Sequence, residues 1–281
     1  VIGGVVTTGA AAVQDTNGHG TNVAGIAAAQ ADNNYGFAGV GYDAGLQAYR
    51  VFPSATASSD CQQADTADEA RAIADAVAHG ASVINLSLGS PQSQGADQAE
   101  QQAVEAAVAS GVVVVAAAGN EGSAQPDYPG GYPGVIAVGA SSTTDSAAND
   151  YAAITGETVA SYSNSGPTLV APGGDPQGTS DKDTLHWIEG YGTTTAAFAR
   201  DQCSDRGGVC RVLFAGTSQA TPQVSGAVAL MLAAHGGPRS LSPAAVAQML
   251  RQTADVLPGI DAARQGAGRI DVGNAVAAAR R

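Results

Sequence analysis

Lysine is almost absent from this chain. Lys182 is the single one among 281 residues, and arginine supplies the rest of the 12 basic residues. Against them stand 25 acidic residues, for a formal net charge of −13. A surface this acidic repels phosphate backbones and anionic headgroups, which argues against nucleic acid or a membrane surface as partner. Long apolar runs are lacking too. No stretch reaches the roughly 20 apolar residues of a membrane-spanning helix. The longest run, residues 112–118, suits a strand covered on both faces. The first residues, Val1-Ile2-Gly3-Gly4, include neither an initiator Met nor a basic leader, which reads as a processed or truncated product. Cysteine is scarce, and the odd count of 3 leaves at least one thiol free or intermolecular. Cys203 and Cys210 are close enough to close a small loop. A disulfide between them, with Cys61 left over, suits an exported protein; three free thiols is the alternative. No Cys/His spacing suits zinc.

What is present can fold. Hydrophobic residues make up 44% and charged residues 13%, enough to bury a core in one large domain without a linker or internal repeat. The 37 glycines imply many tight turns and close backbone approaches. Apolar periodicity predicts strands over 46–52, 82–88, 112–118 and 135–139. It predicts helices over 66–79, 97–110, 224–234 and 242–253, with Pro243 in the first turn of the last. Strands alternating with helices predict an α/β fold, a mostly parallel twisted sheet with helices on both faces. Residues 175–213, which hold the only Trp, Trp187, form a long insertion expected to be functional or to carry its own small structure.

Three segments carry chemistry. The first is Asn17-Gly18-His19-Gly20-Thr21, the second Ala117-Ala118-Gly119-Asn120-Glu121-Gly122, and the third Gly216-Thr217-Ser218-Gln219-Ala220-Thr221-Pro222. Acyl transfer needs a hydroxyl nucleophile, a base and donors for the developing oxyanion. Ser218 stands at a helix start, where free N–H groups and the dipole favour negative charge. His19 opens another helix between two glycines. Asn120 ends an apolar strand, the place where sites form in open α/β sheets.

In content and in order the three segments resemble the histidine, asparagine and serine motifs of the subtilisin-like serine peptidases. Val83-Ile84-Asn85-Leu86-Ser87-Leu88-Gly89, the run from Tyr132 to Ala140, Ser163-Asn164-Ser165-Gly166, Ala171-Pro172-Gly173 and Gly266-Ala267-Gly268-Arg269-Ile270-Asp271 match as well. The resemblance covers nearly the whole chain outside the insertion. It implies a three-layer α/β catalytic domain over residues 1–281, lacking the family's first strand. It also implies a secreted serine endopeptidase in which His19 is the general base, Ser218 the nucleophile and Asn120 the oxyanion donor. Ser87, Leu88 and Gly89 would pair with an extended polypeptide substrate. No cofactor is implied for catalysis.

The family's triad aspartate lies upstream of the segment resembling Val1-Ile2-Gly3-Gly4, and Asp15 is too near His19 to replace it. The resemblance therefore implies that the chain as written is impaired unless a separate N-terminal segment or propeptide supplies that residue. A catalytically dead, peptide-binding form of the same fold is the alternative. Three departures stand outside the triad: Asn22 where many relatives have a second His, Gln219 where Met is common, and Gln223 where His is common. They imply changes in packing and oxidation resistance only. Glu121 and Asp127 fall in the loop that builds the main specificity pocket, where a carboxylate favours Lys or Arg before the cleaved bond. A solvated loop charge is the plainer reading of Asp127. Asp32-Asn33-Asn34 resembles a loop that holds a structural calcium in many relatives, and residues 175–183 are a second, weaker candidate for calcium.

Overall fold

The computed structural model describes residues 7–53, 64–143, 156–175, 186–193, 204–205 and 210–281. Val1-Ile2-Gly3-Gly4, Lys182, Cys61, Cys203 and most of the stretch 175–183 lie outside them.

The core is set by one strand. Along β2 (Val113–Ala117) every residue is buried, and successive side chains point to opposite faces. Val113 and Val115 join one hydrophobic cluster, and Val112, Val114 and Ala116 join another. β1 (Val83–Leu86) and β3 (Ile136–Thr143) flank β2 in parallel, and β5 (Leu169–Pro172) pairs in parallel with β3. The short β4 (Glu157–Val159) runs antiparallel to the end of β3. A strand apolar on both faces requires a covering layer on each side, and the chain supplies both.

α2 (Thr66–Ala78) and α3 (Gln98–Ala109) cover one face. Asp65 and Asp97 start them by accepting backbone N–H groups of the first turn. The other face is covered by α4 (Thr217–His235), α5 (Pro243–Thr253) and the last helix, Val272–Ala279. α1 (His19–Ala28) packs on α4. The crossing is close: a Cβ on Gly226 would stand 2.7 Å from the Ala27 carbonyl oxygen and 2.7 Å from the Gly41 amide. Only glycine fits there.

The strand expected over 46–52 is not formed. A ladder needs a neighbouring strand, and among the described residues none lies beside this segment. It runs extended, tied by side chains: Gln47 Nε2 donates to His79 O at 3.0 Å and the Tyr49 hydroxyl to Asp75 at 2.9 Å. Its burial does not alternate: residues 46–48 are exposed, and Val51 alone is buried. The insertion does carry its own structure, an antiparallel sheet of β6 (Ile188–Tyr191), β8 (Cys210–Phe214) and β7 (Ser204–Asp205) in that order. Cys210 is disulfide-bonded.

Candidate active site

His19 opens α1 because Asp15 prepares the turn before it. One oxygen of Asp15 accepts the Asn17 and Gly18 amides at 2.9 and 2.7 Å. The other accepts the Thr21 amide at 2.8 Å and its hydroxyl at 2.6 Å. Burial pushes the Asp15 carboxyl up, but these bonds outweigh it and hold the group below its ordinary 3.8. Asp15 thus holds the turn just before the His19 helix, the position its nearness to His19 implied. The His19 ring is half-buried and meets Phe214 edge-on, centroids 6.4 Å apart. Burial holds its pKa below 6.5, with the Asp15 charge opposing, so the imidazole is neutral and able to accept a proton at neutral pH. Among the described residues no carboxylate hydrogen-bonds to this ring.

Ser218 occupies the first turn of α4. Gly216 caps that helix without a side-chain bond, and the Ser218 amide has no backbone acceptor among the described residues. That N–H is open to a ligand. Pro222 has no N–H to give to the carbonyl one turn earlier, which is that of Ser218. The Ser87 hydroxyl takes its place, donating to Ser218 O at 2.9 Å. Ser218 Oγ donates in return to Ser87 O at 3.2 Å. A hydrogen-bonded line therefore runs from Ser225 Oγ to Asn85 Oδ1 at 2.8 Å and from Asn85 Nδ2 to Ser87 Oγ at 3.0 Å, then on to the nucleophile's own backbone. In this state Ser218 Oγ is bonded to Ser87 and not to His19; such bonds tighten in the Michaelis complex.

Asn120 is exposed, but its amide is oriented. Thr217 donates both its N–H, at 2.9 Å, and its hydroxyl, at 3.0 Å, to Asn120 Oδ1. A backbone N–H can only donate, so the atom facing it is the oxygen, and the NH2 is turned away to solvent. Two donors, the Asn120 amide and the Ser218 N–H, thus flank the serine. Beside them, Leu88 and Gly89 make no backbone hydrogen bonds among the described residues, which leaves an edge for an extended peptide.

Asp127 is buried, against the plainer reading of a solvated charge. It lies against Gly89 and Gly119, and its Oδ1 accepts Asn164 Nδ2 at 3.0 Å. Asn164 also donates to Glu121 at 3.1 Å, while its Oδ1 accepts the Glu121 and Ser123 amides at 3.1 and 2.8 Å. Burial, then the Glu121 charge and a hydrogen bond with it, push the Asp127 carboxyl up to about 7, with Asn164 opposing. A cavity of about 210 Å³ opens against Asp127, lined also by residues 91–93 and 123–125.

Two of the three departures noted in the sequence form a pair. Gln219 Nε2 donates to Asn22 Oδ1 at 3.2 Å, and both side chains are fully buried. This bond ties the helix of the base to the helix of the nucleophile. Residue-by-residue reading missed it because the partners lie 197 positions apart. Thr217, which aims Asn120, and Asn164, which gathers the specificity loop, were inside quoted motifs without a role. Their signal was a polar side chain inside an otherwise small or apolar context.

Fold and site together place a serine at a helix N-terminus, a neutral imidazole on the adjoining helix and an aimed amide at one end of a mostly parallel α/β sheet. The chain belongs to the subtilase family, whose model matches residues 5–268. It is 37% identical over 260 residues to halolysin of Haloferax mediterranei, covering 92% of this chain and 40% of that protein. It is 36% identical to an extracellular protease of Xanthomonas campestris over 93% of this chain and 40% of that protein. Against subtilisin DY of Bacillus licheniformis it is 36% identical over 90% of this chain and 77% of that protein. A solved protease of Pseudoalteromonas arctica superposes with a TM-score of 0.71 at 29% identity, covering 93% of this chain and 70% of that one. The chain thus spans about two fifths of the length of the first two relatives.

Proposed function

We propose that this chain is the catalytic domain of a secreted serine endopeptidase. Ser218 Oγ attacks the peptide carbonyl and gives its proton to His19. The oxyanion sits between the Asn120 amide and the Ser218 N–H. The acyl-enzyme forms as His19 protonates the leaving amine, and water activated by His19 then releases the acid. The observation that carries this reading is the Thr217–Asn120 contact, which aims an exposed amide beside a serine whose own N–H is unpaired. A fluorophosphonate probe tests it: labelling confined to Ser218 and abolished in Ser218→Ala is expected, and an unreactive Ser218 in the full-length protein would overturn it.

Full turnover needs a carboxylate on His19. Asp15 is committed to the helix start, so this carboxylate is assigned to the N-terminal segment that precedes this stretch in relatives. Losing it alone costs roughly 3 × 10⁴ in turnover in a subtilisin. Among the described residues no carboxylate hydrogen-bonds to His19, which favours a second reading, in which the chain binds peptides along Ser87, Leu88 and Gly89 without cutting them. Labelling of Ser218 separates the two.

Asp127 and Glu121 select a Lys or Arg side chain before the cleaved bond. Near neutral pH the raised Asp127 carboxyl is partly protonated, and an entering guanidinium takes the proton's place as the compensating charge. Location outside the cell is supported by the disulfide at Cys210 and by the name of the Xanthomonas relative. Among the described residues no helix is long and apolar enough to cross a membrane.

A further inference from the structure

The loop that follows α1 is closed by a side chain from the insertion. In residues 32–37, Asp32, Asn34 and Gly36 all adopt positive φ, of 56, 56 and 59°. A turn this irregular cannot satisfy its backbone through regular structure, so its polar groups need another partner. Tyr191 of β6 provides it. Its hydroxyl accepts the Phe37 N–H at 2.8 Å and lies 3.1 Å from Tyr35 O and 3.0 Å from Phe37 O, its one proton shared between the two carbonyls. The ring stacks on Tyr35 at 6.5 Å and meets Phe37 edge-on at 5.4 Å, and the Arg211 guanidinium lies over Phe37 at 4.9 Å.

The family resemblance places a calcium ion in this loop. Calcium wants six to eight oxygens at about 2.3–2.6 Å. The residues present do not fit it. Two of the loop's carbonyls already face a phenol proton, and the phenol stands where a cation would have to approach them. Among the described residues no group of three or more His, Cys, Asp or Glu side chains gathers to hold a metal.

The same tyrosine braces α1. Its carbonyl accepts Asn22 Nδ2 at 3.3 Å, and its ring lies so close to Gly25 that a Cβ there would come within 2.7 Å of it. Asn22 stands one turn after His19. It is also the residue that Gln219 grips, so the insertion, the His19 helix and the Ser218 helix meet at one buried amide.

We propose that Tyr191 is a positioning residue that takes the place of a cation in the loop at 32–37 and, through Asn22 and Gly25, sets the helix that carries His19. The loop is thereby made independent of divalent metal. The proposal rests on the peptidase reading only in naming His19 as the base, and its test does not use turnover.

Amide exchange and imidazole NMR on the full chain decide it. In the wild type, exchange at the Phe37 amide changes by less than about twofold when calcium is replaced by a chelator. Tyr191→Phe keeps the ring and removes the hydroxyl; it raises exchange at Phe37 about tenfold, the size of one lost hydrogen bond. Tyr191→Ala, which also takes the ring away from Gly25, moves the His19 titration upward toward 6.5, because a loosened α1 wets the ring. A change confined to loop stability would leave that titration in place. The proposal is overturned if chelation opens the wild-type loop, if added calcium shifts its amide signals, if Tyr191→Phe leaves exchange at Phe37 unchanged, or if Tyr191→Ala leaves the His19 titration in place. Should Tyr191→Phe not fold, the wild-type chelation result alone decides. Failure of the peptidase reading would appear instead as an unlabelled Ser218 with these readouts intact.

Discussion

At Asn120 a single side chain separates binding from turnover. In the proposed mechanism its amide faces the oxyanion position, which holds full charge only in the transition state. Asn120→Ala is therefore expected to lower kcat about 10²–10³-fold with KM little changed, measured on a peptide ester. Asp127 is a second residue whose burial dictates behaviour. Its carboxyl titrates near 7, so kcat/KM for an Arg substrate rises as pH passes through 7, while that for a Phe substrate does not. Asp127→Ser abolishes the difference; equal profiles in the wild type refute the basic preference. His19, Asn120 and Ser218 were legible in the sequence because each sits in a short motif whose residue types the chemistry requires. Asn22 and Gln219 were visible only as departures, since a hydrogen bond between distant positions leaves no mark on either one alone.

Between elements, the α2–α3 contact carries a cost tied to pH. Glu69 and Glu100 face each other in the buried interface, with Asp97 and Asp65 close by, and Tyr132 donating to Glu100 at 2.8 Å. Burial first, then the Glu100 bond and charge, push Glu69 up to about 8 from 4.5. The folded state binds this proton more tightly than the unfolded chain. The stability it provides is therefore complete below 4.5 and lost as pH rises through about 8. Glu69→Gln is expected to raise Tm relative to wild type at pH above 8 and to change it little at pH 4, by scanning calorimetry. The α1–α4 crossing gives a sharper test. Gly226→Ala places a methyl against the Ala27 carbonyl and is expected to destabilise by about 1–3 kcal/mol in denaturant unfolding. α2, α3, β1 and β2 were legible because their periodicity is strong and their caps are Asp, Ser and Gly. The segment 46–52 misled because its apolar residues do not report whether a neighbour exists to complete a ladder.

At the scale of the whole molecule, the sheet orders the loops so that three motifs meet at its edge, and the insertion braces the helix of the base. Local information sufficed for most of the elements, for the family and for singling out His19, Asn120 and Ser218 as candidates, because these depend on periodicity, capping and short motifs along contiguous chain. Tertiary structure alone decided that Asp127 is buried beside Glu121, that Gln219 grips Asn22, that Ser87 fills the gap left by Pro222, and that Tyr191 closes the loop at 32–37. Each of these is a contact between segments far apart in the chain, and its energy depends on burial and distance, which exist only once the chain is folded.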